Sequence, residues 1–154
     1  MDEIRIDQSH CNYHLRKTLT DQGWDVLFAD GGRVSRGGAG SQGSMLRLFE
    51  ENRLPIPDIV AIRQSLVLVV EVDDVIAKAE ASLRAYQRHA TFILAFVRES
   101  MGQSAAAVLV PGFCRSKRVP QPESFNADLL AATTFIDFSA AFAEPRTPVM
   151  LWRG

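Results

Sequence analysis

The chain has 154 residues, 47% of them hydrophobic, which suits one globular domain with an ordinary core and leaves little room for a separate target-recognition module. Its 17 basic and 18 acidic side chains give a net charge of −1, so there is no global positive field and any nucleic-acid surface has to be a local patch. Cys11 and Cys114 lie far apart without paired spacing, the N-terminus is charged from the outset, and no apolar run approaches the roughly 20 residues of a membrane span; the expectation is a cytoplasmic protein without disulfide framework, zinc knuckle or membrane segment.

The first predicted element is a helix over residues 9–22, with Ser9 as N-cap, Leu15 and Leu19 on one face, and Gly23 as a left-handed stop. Trp24 to Ala29 reads as a strand. From Asp30 to Ser44 the chain carries six glycines (Gly31, Gly32, Gly37, Gly38, Gly40 and Gly43) with Arg33 and Arg36 among them, the composition of a flexible loop. Ser44 is expected to cap a short helix through Met45, Leu48 and Phe49 to Glu51, halted by Pro55 and Pro57. Ile56 to Ile62 and Leu66 to Asp73 read as two strands joined by a turn, the second without a polar residue from Leu66 to Val70, as in a strand covered on both faces.

Residues 75–89 predict an amphipathic helix: Val75, Ile76, Ala79, Leu83 and Tyr86 share one side, and Lys78, Glu80, Arg84 and Arg88 take other directions. Thr91 to Val97 and Ala105 to Val110 are read as strands, the second closed by Pro111-Gly112, giving a strand–helix–strand crossover in a mixed sheet. A basic loop, Arg115-Ser116-Lys117-Arg118, leads to a weaker apolar segment from Leu129 to Phe142, helical in its first part. A terminal strand is expected near Val149 to Trp152. There is no internal repeat and no domain boundary, so residues 1–154 are taken as a single domain.

The chemistry concentrates at the two-strand stretch. Glu71 and Asp73 are two apart in a strand and project to the same face, and the preceding strand brings Asp58 towards them. Like charges gathered at the end of a buried strand repel, and a divalent cation between them removes that cost. Such a cluster can polarise a phosphodiester and lower the pKa of an attacking water.

The pattern Pro57-Asp58, thirteen positions on to Glu71, then Val72 and Asp73, resembles the PD-(D/E)XK nuclease superfamily, whose signature is Pro-Asp, a spacer, Asp or Glu, any residue, and Lys. The order of elements is similar across residues 9–110, with 111–154 as a C-terminal extension. The resemblance implies a restriction-endonuclease-like fold, a three-layer α/β/α sandwich around a mixed sheet. It also implies a divalent-metal-dependent nuclease acting on DNA, with Mg²⁺ or Mn²⁺ held by Asp58, Glu71, Asp73 and Glu50 or Glu51. The departure is Asp73, which stands where the family has its lysine; in some members that cation moves to the following helix, where this chain has Lys78. Asp58, Glu71, Asp73 and Lys78 are the catalytic candidates. The alternative is a nuclease fold without catalysis, serving as a nucleic-acid-binding or assembly subunit. Either way, target recognition is expected to need a homodimer or a partner chain.

Other readings stand beside these. Asp73 or Asp74 can cap the helix that follows, a role compatible with metal binding, and Asp58 can be the ordinary first residue of a strand. Arg33 and Arg36 in the glycine-rich loop, and Arg115, Lys117 and Arg118, are the two basic patches suited to a phosphate backbone. Tyr86 reads as core, Ser82 stands where a RecB-like subgroup has glutamine, and His10 and His14 form an i, i+4 pair with no acidic third ligand nearby in sequence.

Overall fold

The computed structural model describes residues 8–29, 38–73, 76–115, 133–137 and 149–151. Its elements, in chain order, are α1 (Gln8–Asp21), β1 (Asp25–Ala29), α2 (Gly38–Glu51), β2 (Ile59–Arg63), β3 (Leu66–Asp73), α3 (Ile76–Arg88), α4 (Ala90–Ser100), β4 (Val108–Arg115), β5 (Thr134–Asp137) and β6 (Val149–Leu151). The strands form one mixed α/β sheet in the order β1-β2-β3-β4-β5-β6. The first three make an antiparallel meander, β4 joins β3 in parallel, β5 joins β4 in parallel, and β6 returns antiparallel.

Helix ends are set by backbone chemistry legible in part from sequence. At the end of α1, Gly23 takes φ 89°, Trp24 N–H donates to Leu19 O at 2.9 Å and Gly23 N–H to Thr20 O at 3.1 Å, a Schellman stop at the expected glycine. The end of α2 repeats it without glycine: Leu54 N–H donates to Phe49 O at 2.9 Å, Arg53 N–H to Glu50 O at 3.1 Å, and Arg53 itself takes φ 55°. That stop precedes Pro55, so the proline follows a helix already ended. Between β2 and β3 a two-residue turn, Gln64 and Ser65, closes the hairpin, with Gln64 at φ 55°.

Alternation along β3 sorts the core into two faces. Val67 and Val69 join Leu48 and Phe49 of α2, Leu83 and Tyr86 of α3, and Ile93 and Val97 of α4. Leu68, Val70 and Val72 join Leu15 and Leu19 of α1 on the other face. In β1 the register shifts between Val26 and Phe28, and the bulge lets Leu27 and Phe28 both lie with the α2 and α3 side.

Three expectations are corrected. The run from Thr91 to Val97 is helix α4, with Ile93, Leu94 and Val97 buried at helical spacing; an unbroken apolar run has no period of its own to separate strand from helix. The helix expected from Ser44 begins at Gly38, because Met45, Leu48 and Phe49 are buried against the sheet and this tertiary anchor outweighs the low propensity of Gly38, Gly40 and Gly43. Pro111-Gly112 lies inside β4 instead of closing it. Pro111 precedes the point where β5 joins at Gly112, so β4 still has an open edge there. A Cβ on Gly112 would come within 3.0 Å of both Leu68 Cδ1 and Val70 Cγ2, which explains glycine next to a buried face. The crossover from β3 to β4 therefore contains two helices, α3 and α4.

Within the weak C-terminal apolar segment, Thr134 to Asp137 form a strand, and β6 falls where a terminal strand is expected. The helix expected from Leu129 lies outside the described residues. No helix among those described is long and apolar enough to cross a membrane.

Candidate metal centre

Asp58 stands immediately before β2. Asp58 adjoins the last register pair of the ladder at this end, Ile59 with Val70. Its N–H donates to Val70 O at 2.9 Å, and its Oδ2 accepts the Val72 N–H at 2.7 Å. The carboxylate thus stands in for the next backbone acceptor beyond the strand, at the residue between Glu71 and Asp73. From the α1 side, Asn12 Nδ2 lies 3.5 Å from Asp58 Oδ1. Asp58 is half-buried, so water reaches part of it.

Glu71 is held differently. It is buried, 8% exposed, at the polar end of a strand whose preceding residues Val67 to Val70 are fully enclosed. The hydroxyl of Tyr86 on α3 donates to its Oε1. A buried carboxylate without donors is costly, and this phenol supplies one. Helical side chains lean towards the helix N-terminus, which directs Tyr86 back towards the end of β3. The tyrosine is fully buried and is fixed by an edge contact with Phe49 at 5.8 Å between ring centroids, and Phe49 in turn meets Phe28 at 6.5 Å. Core packing of α2 and β1 therefore sets where the Glu71 carboxylate sits.

Asp73 pairs in register with Arg115 across the parallel β3–β4 ladder, and Glu71 with Phe113. Both Asp73 and Arg115 are described as strand residues only; their side chains, like those of His10, Cys11 and His14, lie outside the description. Arg33, Arg36, Asp74, Lys117 and Arg118 lie outside the described residues altogether. Lys78 is exposed in the first turn of α3, five residues beyond Asp73.

Glu50 does not join the two acids. Among the described residues, no three of histidine, cysteine, aspartate or glutamate come together as a cage for a metal. Phe49 takes the inward direction at the end of α2, which leaves Glu50 and Glu51 exposed, and Glu51 lines a cleft of about 340 Å³ between α2 and α4 with Arg47, Asn52 and Phe92. Of the expected ligands, Asp58 and Glu71 lie at neighbouring strand ends, each on its own partners, Asp58 on the Val72 N–H and Glu71 on the Tyr86 hydroxyl.

No family model, curated protein or solved structure matches the chain. The site has to be read from its own geometry.

Two residues of that geometry escape a reading of the sequence. Tyr86 is recognisable as core, but its bond to Glu71 depends on how α3 lies over β3. Asn12 does leave a signal: with Leu15 and Leu19 it follows the i, i+3, i+7 stripe of α1, a polar residue on an otherwise buried face.

Proposed function

We propose that this chain is a divalent-metal-dependent nuclease of the PD-(D/E)XK kind, hydrolysing phosphodiester bonds in DNA. The observation that carries the reading is the placement of Asp58 beside the end of β3, its N–H on Val70 O and its carboxylate on the Val72 N–H, the two residues that flank Glu71. A helix, an antiparallel β1-β2-β3 unit with α2 inserted between β1 and β2, two further helices and a parallel fourth strand support reading the whole as a three-layer α/β/α sandwich of the restriction-endonuclease type.

The donor set fits a hard cation: carboxylates of Asp58 and Glu71, with Asp73 completing the group, offer oxygen ligands of the sort Mg²⁺ and Mn²⁺ take. Bound there, such an ion supplies Lewis acidity and a water of lowered pKa. The residues do the rest. Asp58 is oriented by the Val72 N–H, Glu71 by the Tyr86 hydroxyl, and both are kept from rotating away as the negative charge of a phosphate approaches. Lys78, exposed beside the strand end, is the cation assigned to the developing charge in place of the family's lysine. Arg33, Arg36, Arg115, Lys117 and Arg118 are assigned to the DNA backbone, and target choice to a second copy or a partner chain, in a cytoplasmic setting.

The test is incubation of the purified chain with Mn²⁺ and single-stranded, duplex and branched DNA. Cleavage is expected in at least one, with loss of about a thousandfold in rate in Glu71→Ala and Asp58→Ala, the several kcal/mol that metal-assisted charge stabilisation is worth. Intact DNA in every case contradicts the reading. One observation favours a second: both described acids already hold structural hydrogen bonds, and Asp73 replaces the motif's base. A non-catalytic nucleic-acid-binding or assembly subunit of the same fold accounts for these facts, and predicts that the two substitutions change stability or association with no activity to lose.

A further inference from the structure

Helices α2 and α3 each carry an oppositely charged pair four residues apart, and only one pair closes on itself. On α3, Glu80 precedes Arg84 and the two form an ion pair along the helix. On α2 the order is reversed, Arg47 before Glu51, the less favourable orientation for a bridge within one helix. Both side chains are exposed, and among the described residues neither takes part in an ion pair. They line the cleft of about 340 Å³ between α2 and α4, together with buried Leu48, half-buried Phe96 and Phe92. Phe92 is 47% exposed, although Ile93 and Val97 of the same helix are buried.

An open cation and an open anion one helical turn apart, beside an exposed aromatic ring, make a patch that is complementary to itself. In an isologous contact residue i meets residue j and j meets i. A two-fold axis passing between Arg47 and Glu51 therefore sets the guanidinium of one copy against the carboxylate of the other at two places, and the approach covers Phe92 beside them. A net charge of −1 on each chain puts little long-range repulsion in the way. We propose that this chain forms a two-fold dimer through the face of α2 and α4 that carries Arg47, Glu51 and Phe92, with Arg47 of each copy paired to Glu51 of the other. The pairing needs neither metal nor DNA, so it is tested apart from the nuclease reading, and it gives a second copy engaged in target choice its docking surface.

The experiment is sedimentation velocity over a concentration series of the full chain, for the wild type, R47E, E51R, F92A and an equal mixture of R47E with E51R. The wild type is expected to dimerise. Each reversal alone places like charges together at both contacts and is expected to weaken the dimer by about tenfold or more. Mixed, the two reversals restore opposite charges at both contacts, and a heterodimer of wild-type affinity is expected; a variant that had merely misfolded could not be rescued in this way. F92A is expected to weaken the dimer by about tenfold, as loss of an aromatic anchor does. A wild type that stays monomeric at every concentration overturns the proposal. So does a dimer that R47E, E51R or F92A leaves at full strength, which would use another surface, and so does a mixture no more dimeric than its two components.

Discussion

Asp58 and Glu71 lie at adjoining strand ends, yet they are built in opposite ways. Glu71 is enclosed and accepts from the Tyr86 phenol, whose ring is clamped by Phe49 and, behind it, Phe28. Asp58 is half-buried and held by a backbone N–H, with a side-chain amide at long range. The first depends on the core for its position; the second depends on the ladder it prolongs. A metal site assembled from one rigid and one accessible acid can keep its geometry and still admit a phosphate and water, and the difference between the two settings can be measured.

The largest effect is expected from Tyr86→Ala, which removes a fully buried ring and leaves Glu71 without its phenol. Destabilisation of about 3–5 kcal/mol is expected by urea unfolding. A loss below about 1 kcal/mol would show that the aromatic clamp is not what fixes this side of the site. Tyr86→Phe isolates the hydroxyl and should cost about 1.5–3 kcal/mol, as for a hydrogen bond to a buried charged group. In a Glu71→Gln background that cost should shrink, giving a measurable coupling in a double-mutant cycle; full additivity would mean the two side chains do not act together.

Asp58→Asn is expected to be milder, about 0.5–1.5 kcal/mol, because the amide carbonyl still accepts the Val72 N–H while losing its charge. A cost equal to that of Tyr86→Phe or larger would erase the proposed asymmetry between the acids. The smallest effect is a gain. Arg53 holds φ 55° at the stop of α2, where glycine has no steric penalty, so Arg53→Gly should stabilise by about 0.5 kcal/mol. A lowered melting temperature in that variant would show that the arginine side chain contributes more than its backbone strain removes.

How far the sequence discloses this architecture follows from the range of the forces involved. The β2–β3 hairpin is legible because the apolar run from Leu66 to Val70 follows the polar turn Gln64-Ser65, ends at Glu71 and is preceded by a strand of matching character, and the stop at Gly23 is legible because only its own turn is involved. Helix α4 is not, since Thr91 to Val97 suits a buried helix or a buried strand equally until neighbours are known. The passage of β4 through Pro111-Gly112 depends on where β5 begins, which no local signal states. At the site, Asp58 and Glu71 stand out as charges beside apolar strands, whereas their partners do not: Asn12 comes from another layer, and Tyr86 looks like any core aromatic until α3 is laid over β3. Glu50 stands on the exposed side of its helix, where Phe49 beside it takes the inward direction.

The central claim is that Asp58 and Glu71 share a divalent cation, and crystals soaked in MnCl₂ test it most directly. Anomalous density within ligand distance of both carboxylates, absent from Glu71→Ala crystals soaked alike, is the predicted result. Density that lies elsewhere, or none at either acid at saturating Mn²⁺, would contradict it.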